Sequence, residues 1–241
     1  MAKLIGQNSK YLEEQHAFHD NSMWGYSKWI LAFCGLGLVI IMFGLYELFI
    51  GGKFANYLIG LGVMTAVVPM FVDKIALKHE HKSKMYRQGQ KGEWEVKVEL
   101  SKLPDNYAVF CDAKLLGKNY NIDFLVSGPT GLFAIEVKSF SGKVSLNNSY
   151  TLQAMDQAIK GALKVHNHLL NQTGKDVYVK ALLVYSSDDA VVSTSRSNHN
   201  VTVIHKSELN RFIQSQRDIS KQYNVFELEN HLVTLTGHNS F

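Results

Sequence analysis

The sequence predicts an α/β protein, a mixed sheet flanked by helices and preceded by a hairpin of two long apolar helices. Three observations carry that reading. Two uncharged apolar runs lie in the first third of the chain. Short strand patterns joined by tight turns follow them. A helical pattern then leads to two more strands and a further helix.

The 241 residues and 46% hydrophobic content supply one ordinary core with apolar material to spare. The first run, "WILAFCGLGLVIIMFGLY", Trp29 to Tyr46, is about as long as a bilayer-spanning helix needs to be. Trp24, Tyr26 and Trp29 at one end and Tyr46 at the other suit the membrane interface. The second run, "FANYLIGLGVMTAVVPMFV", Phe54 to Val72, carries Pro69 near its end, where a kink costs little. Gly51 and Gly52 suit a tight turn between the two. Neither run has a Gly-x-x-x-Gly spacing, so no helix-packing face is read from them. The alternative is a pair of buried soluble helices.

The polar lead is too long for a cleaved signal peptide. Lys74, Lys78, Lys82, Lys84, Arg87 and Lys91 follow the second run, whereas the link offers only Lys53. By the positive-inside rule both termini face the cytoplasm, which makes a multi-pass protein of the inner (cytoplasmic) membrane. The basic stretch can touch anionic headgroups, and the hairpin can support a homo-oligomer. The chain thus divides into an N-terminal cytoplasmic segment (1–27), a transmembrane hairpin (28–73), a basic juxtamembrane linker (74–87) and a soluble domain (88–241). The net charge of +4 is uneven, because residues 1–73 hold four lysines against five acids. A mildly basic remainder is compatible with nucleic acid or anionic lipid. Cys34 and Cys111 alone give no disulfide or zinc framework.

In the soluble part, Gln88 to Leu103 reads as a helix that ends before Pro104. "YAVFCD", "NIDFLVS" and "LFAIEVKSF" read as strands, with "GPTG" a turn between the last two and "VSLN" a short fourth strand. Short turns make these an antiparallel meander. Thr151 to Leu170 has helical spacing. "DVYVKALLVYS" reads as a central strand and "NVTVIH" as another. Ser207 is placed to cap a helix running to about Gln216. "HLVTLTG" reads as a short last strand.

Asp123 and Glu136 fall on adjacent strands either side of the Gly128–Gly131 turn. Such a hairpin can bring both side chains to one face. Two carboxylates there repel unless a cation lies between them, and Mg²⁺ suits a site of oxygen ligands and retained waters. Lys138, two residues past Glu136, points to the same side and can act on a water or a phosphate. Glu93, at the start of the preceding helix, can add a third carboxylate. The plainer reading is a surface salt-bridge cluster. His79 and His81 do not share a helical face, nor do His166 and His168, so neither pair reads as a metal site. Lys160 reads as a solvated residue. No P-loop, dinucleotide fingerprint or Ser-His-Asp elbow is present.

"GQKGEWEVKVELSKLP", "NIDFLVSGPTGLFAIEVKSFSGKV" and "MDQAIKGALKVHNHL" resemble the nuclease-related domain, NERD, of the PD-(D/E)xK nuclease superfamily. The resemblance runs from about Gln88 to His205. The Asp-(x12)-Glu-x-Lys pattern gains specificity from the upstream Gly-x-x-Gly-Glu and from Gly-Pro-Thr-Gly. The resemblance implies a PD-(D/E)xK-like fold and a nuclease acting on DNA more readily than RNA, with Mg²⁺ or Mn²⁺. It implies Asp123 and Glu136 as metal ligands, Lys138 as the catalytic lysine, Glu93 as the helix carboxylate and Gln157 as a supporting glutamine on the next helix. The apolar first third lies outside that domain. A catalytically silent nucleic-acid-binding or assembly module on a membrane scaffold is the alternative reading.

Overall fold

The computed structural model describes residues 1–6, 10–114, 121–192, 195–196, 200–219 and 224–236. In chain order the elements are β1 (Lys3–Ile5), α1 (Lys10–Phe49), α2 (Ala55–Ser101), β2 (Ala108–Lys114), β3 (Asn121–Gly128), β4 (Gly131–Lys138) and β5 (Gly142–Lys143). There follow α3 (Ser149–Thr173), β6 (Val179–Tyr185), β7 (Ala190–Val191), β8 (Ser195–Arg196), β9 (Val201–His205), α4 (Lys206–Gln214) and α5 (Val225–Thr236). The chain separates into two compact units. One is Tyr11–Arg87; the other joins Met1–Lys10 to Gln88–Phe241.

The first unit is a helical pair. Gly51 (φ 72°) turns the chain, and the Gly52 N–H donates to the Glu47 carbonyl at 2.7 Å. The helices approach closely at two glycines. A Cβ on Gly44 would lie 2.8 Å from Ile59, and one on Gly62 would lie 2.6 Å from Ile41 and 3.0 Å from the Gly37 carbonyl. This packing face has no Gly-x-x-x-Gly signature because each contact uses a single glycine against an isoleucine. Lys28–Phe49, 22 residues of mean hydropathy 2.3, is long and apolar enough to cross a membrane; Ala55–Thr65 is a shorter apolar stretch. Leu38, Val39, Met42, Phe43, Tyr57 and Met64 are exposed on the pair. So much contiguous apolar surface needs a cover of lipid or protein.

The second unit is a mixed α/β sheet flanked by helices, the predicted class. Its seven strands run β1-β2-β3-β4-β6-β9-β8. β2, β3 and β4 form the antiparallel meander, while β4, β6 and β9 are parallel. β4 and β6 lie in the interior of the sheet and are almost wholly buried. One core lies beneath α3 and α5, with Ala154, Met155, Val165, Leu228 and Leu232 against Phe110, Leu183 and Tyr185. The other lies beneath α2 and α4, with Val96, Leu100, Leu209 and Ile213 against Phe124, Ile135 and Leu182. α3 begins at Asn148, whose side chain accepts from the Tyr150 N–H, and ends at Gly174 with φ 67°.

Several expectations are corrected. The "EWEVKVELSKL" helix expected to begin near Gln88 begins at Ala55, because α2 runs unbroken through the basic stretch 74–87. Asp73 to Arg87 holds no proline or glycine and is rich in helix formers, and Glu80 and Lys84 pair at 2.6 Å one turn apart. "VSLN" forms no strand; Gly142–Lys143 pairs instead with β7 in a separate two-stranded sheet. The described part of "HLVTLTG", His231–Thr236, is helical within α5, because Leu228 and Leu232 lie four apart and share one buried face, and Gly237 lies outside the described residues. His205, not Ser207, caps α4, its ring accepting from the Ser207 N–H. The N-terminus adds β1, a parallel strand beside β2, with Ala2 buried. Three residues are too few to show a period.

Candidate functional site

The β3–β4 hairpin sets the level of the acidic residues. Its ladder runs from Gly128↔Gly131 to Phe124↔Ile135, so Asp123 and Glu136 stand at the next step. The turn is held from several sides. A Cβ on Gly128 would collide with the Tyr107 ring, at 2.1 Å, so only glycine fits beneath that side chain. The Tyr107 hydroxyl shares a hydrogen bond with Thr130 at 2.9 Å, and the Pro129 carbonyl accepts from the Ile219 N–H at 2.7 Å. The Gly-Pro-Thr-Gly motif therefore acts at a distance, by holding register.

Beyond Phe124↔Ile135 the registered ladder stops. There the Val137 N–H donates to Asp123 Oδ2 at 2.7 Å. On its other side β4 stays paired, Glu136 with Leu183 and Lys138 with Tyr185. One flank of β4 is fixed while the other opens onto acidic side chains. Lys138 Nζ donates to Glu136 Oε1 at 2.7 Å, and both side chains are mostly buried.

Glu93 comes from α2, deep in the helix rather than at its start, so a helix dipole does not account for an acid there. The approach is made possible by Gly92. A Cβ at that position would lie 2.4 Å from Ser186 Oγ and 3.0 Å from Ser139 Cβ, at the ends of β6 and β4. Gln88 Nε2 donates to the Ser139 carbonyl at 2.8 Å. The Gly-x-x-Gly-Glu pattern thus lets α2 touch the strand ends and deliver Glu93 beside them.

Electrostatics show how close these groups are. Burial, then Asp112 and Glu136, push the Glu93 carboxyl up to about 7 against the pull of Lys138. Burial, then Glu136 and Glu93, push Asp123 well above the carboxylate range, although the Val137 N–H and Lys138 act the other way. Burial draws Lys138 down, but Glu136 and then Asp123 more than restore it, and the net direction is upward. Asp112, which sequence reasoning missed, belongs to this acidic group. It has φ 49° in β2 and accepts from Asn121 Nδ2 at 3.0 Å. Only its left-handed backbone and the strand register bring it here; its signal in sequence was an acid inside an apolar strand.

Gln157 lies on the exposed side of α3. Lys160 is exposed and pairs with Asp156 at 2.6 Å. His166 is engaged by the Val177 carbonyl at 2.9 Å. Among the described residues, no three His, Cys, Asp or Glu side chains close into a metal cage. The donor set is nevertheless one that a hydrated hard cation fits. Its oxygens are all carboxylate, and two of its members, Glu93 and Asp123, are driven toward protonation by burial and by the neighbouring Glu136. Mg²⁺ uses one or two carboxylates and keeps several waters, so it needs no closed cage.

No curated protein and no solved structure matches the chain. A family model does match part of it: residues 88–186 match the model of NERD, the nuclease-related domain.

Proposed function

We propose that this protein is a membrane-anchored, metal-dependent nuclease that hydrolyses phosphodiester bonds, of DNA in the first place, at the cytoplasmic face. The observation that carries this reading is the convergence of Glu93, Asp123 and Glu136 around Lys138, inside the matched residues 88–186. A divalent cation, Mg²⁺ or Mn²⁺, held by Asp123 and Glu136 with Glu93 in support, would polarise the phosphate and acidify a water. The chain's own groups do the rest. Lys138 holds Glu136 in place and offers its ammonium to charge building on the phosphate. The Val137 N–H fixes the Asp123 carboxylate in orientation. Without a cation the Glu93 carboxyl is pushed up to about 7, and a divalent cation bound beside it would favour its charged form. Gln157 would support the site from α3.

The membrane part of the proposal rests on topology. Lys3–Ile5 pairs with β2, so residues on both sides of the apolar pair belong to one folded unit. They must lie on one side of any membrane. Two crossings, at about 29–46 and 54–72, are compatible with that condition and are the arrangement we propose. A cleaved signal would remove β1, whose Lys3 binds Glu229 at 2.6 Å. The basic residues from Lys74 to Lys91 support a cytoplasmic position for that side. Tethering confines the enzyme to nucleic acid near the membrane.

The test is plasmid cleavage by the full chain with Mg²⁺, comparing wild type with Asp123→Ala and Lys138→Ala. Cleavage by wild type alone is expected. Equal cleavage by all three would overturn the site, and no cleavage by any would overturn the activity.

A further inference from the structure

Half of the described aromatic rings of the sheet-bearing unit are interior. Phe110, Phe124, Phe133 and Tyr185 are buried, and Tyr107 is buried against the hairpin turn. Among its described residues four aromatics are exposed: Trp94, Phe140, Tyr150 and Tyr178. Two of these form a pair. Phe140 is 42% exposed and Tyr150 48%, with ring centroids 6.4 Å apart and planes tilted by 40°. The tilt means the rings do not cover each other.

Their position ties the pair to the site. Phe140 lies two residues beyond Lys138, just past the end of β4. Tyr150 lies in the first turn of α3 and within electrostatic reach of the Lys138 ammonium and of Tyr185. Tyr185 is the register partner of Lys138, and its hydroxyl shares a hydrogen bond with Thr151 at 3.3 Å. The surroundings therefore combine a lysine with two exposed aromatic side chains from the end of β4 and the first turn of α3. That combination matches a nucleotide, with an anionic phosphate for the cation and a flat base for the rings. A base inside a duplex is already stacked on its neighbours, so these faces are open only to an unpaired one.

We infer that Phe140 and Tyr150 form a stacking platform for an unpaired nucleobase beside the phosphate at Lys138, which makes single-stranded or frayed DNA the favoured substrate. This rests on the nuclease reading for the identity of the phosphate site. The binding it describes does not depend on cleavage.

The test uses the full chain in detergent, in EDTA, with 2-aminopurine-labelled single-stranded and blunt duplex oligonucleotides of one sequence. Wild type should bind the single strand more tightly and quench its fluorescence. Phe140→Ala/Tyr150→Ala should weaken single-strand binding roughly 10- to 100-fold, with duplex affinity changed by less than about twofold. Phe140→Leu/Tyr150→Leu, which keeps apolar bulk without a ring face, should behave like the alanine pair if stacking is the cause. Phe140→Tyr/Tyr150→Phe should retain binding and quenching. Equal losses on both oligonucleotides, no loss on either, full binding by the leucine pair, or no quenching by wild type would each overturn the platform. Quenching that depends on the rings in a protein that cleaves nothing would sustain the platform while overturning the nuclease. Cleavage by wild type with no effect of the rings would do the reverse.

Discussion

The Val137 N–H points at Asp123 Oδ2, 2.7 Å away, where the β3–β4 ladder has run out of registered pairs. The side chain on one strand thus takes up the backbone donor of the other. This anchors one carboxylate oxygen and leaves the second available. It also makes Asp123 part of the sheet's hydrogen bonding, so its two roles can be separated by substitution. Asp123→Asn keeps an acceptor for Val137 and loses the charge. Folding should be retained, or improved because a repelled buried carboxylate is removed, while cleavage falls on the order of 10²–10³-fold. Asp123→Ala should lose activity and also destabilise by about 1–2 kcal/mol, since a backbone donor loses its partner. Urea unfolding beside plasmid cleavage measures both effects. An asparagine variant as unstable as the alanine variant would show that the hydrogen bond is not the structural element.

Glu93 makes stability depend on pH. In the unfolded chain it titrates near 4.5 and in the folded protein at about 7, raised by burial and by Asp112 and Glu136. The folded state therefore holds the extra proton in this window. Its contribution to stability is fully present below about pH 4.5 and is lost as the pH rises through about 7. The loss is at most about 3 kcal/mol. Asp123, shifted in the same direction, adds to the same trend. Unfolding midpoints in EDTA should fall across this range, and Glu93→Gln should flatten the slope. Mg²⁺ should raise the midpoint more at pH 8 than at pH 5, because it binds ionised carboxylates. A midpoint indifferent to pH in the wild type would contradict the account.

Gly92 controls how close Glu93 comes. In Gly92→Ala the new methyl meets Ser186 Oγ, which can rotate, and Ser139 Cβ, which cannot without moving the end of β4. Alanine favours the helix by about 1 kcal/mol, which offsets part of the clash. Stability should change little. Activity should fall roughly 10-fold or more as α2 is pushed off the strand ends, because small misplacement at a reactive site is costly. Ser186→Ala in the same chain should recover part of the loss. Unchanged activity in Gly92→Ala would show that the contact does not position Glu93.

The parts of the fold that sequence reveals are those whose physics is local. The three meander strands alternate or run apolar between strong turn formers, and α3 shows one apolar stripe between Asn148 and Gly174. The acidic site is legible for a related reason. Two strands and a short turn fix a separation of twelve residues between Asp123 and Glu136. What escapes depends on distant parts of the chain. β1 has three residues and exists because β2 offers an edge. α5 contains an alternating apolar run and becomes helical because a sheet face needs covering by Leu228 and Leu232. Asp112, left-handed in backbone, joins the acidic group through the β2–β3 register. The unbroken α2 shows the converse: the charged stretch 74–87 is helical because nothing in it stops a helix.

β1 offers a direct check on the proposed membrane hairpin. Lys3, Leu4 and Ile5 are in register with Ala108, Val109 and Phe110, and Ala2 donates its N–H to the Ser101 carbonyl at 3.3 Å. These contacts lie before the apolar pair in sequence and belong to the unit that follows it. Removing residues 1–6 should therefore lower the unfolding midpoint of the sheet-bearing unit by about 2–4 °C per kcal/mol lost, the scale for a domain of this size, an effect a mere anchor would not produce. Epitope tags at the two ends should be reached from one and the same side in sealed inverted vesicles, and neither should be reached in right-side-out ones. Tags on opposite sides would mean an odd number of crossings. That result would be incompatible with β1 pairing beside β2, because the strand cannot join the sheet across a bilayer.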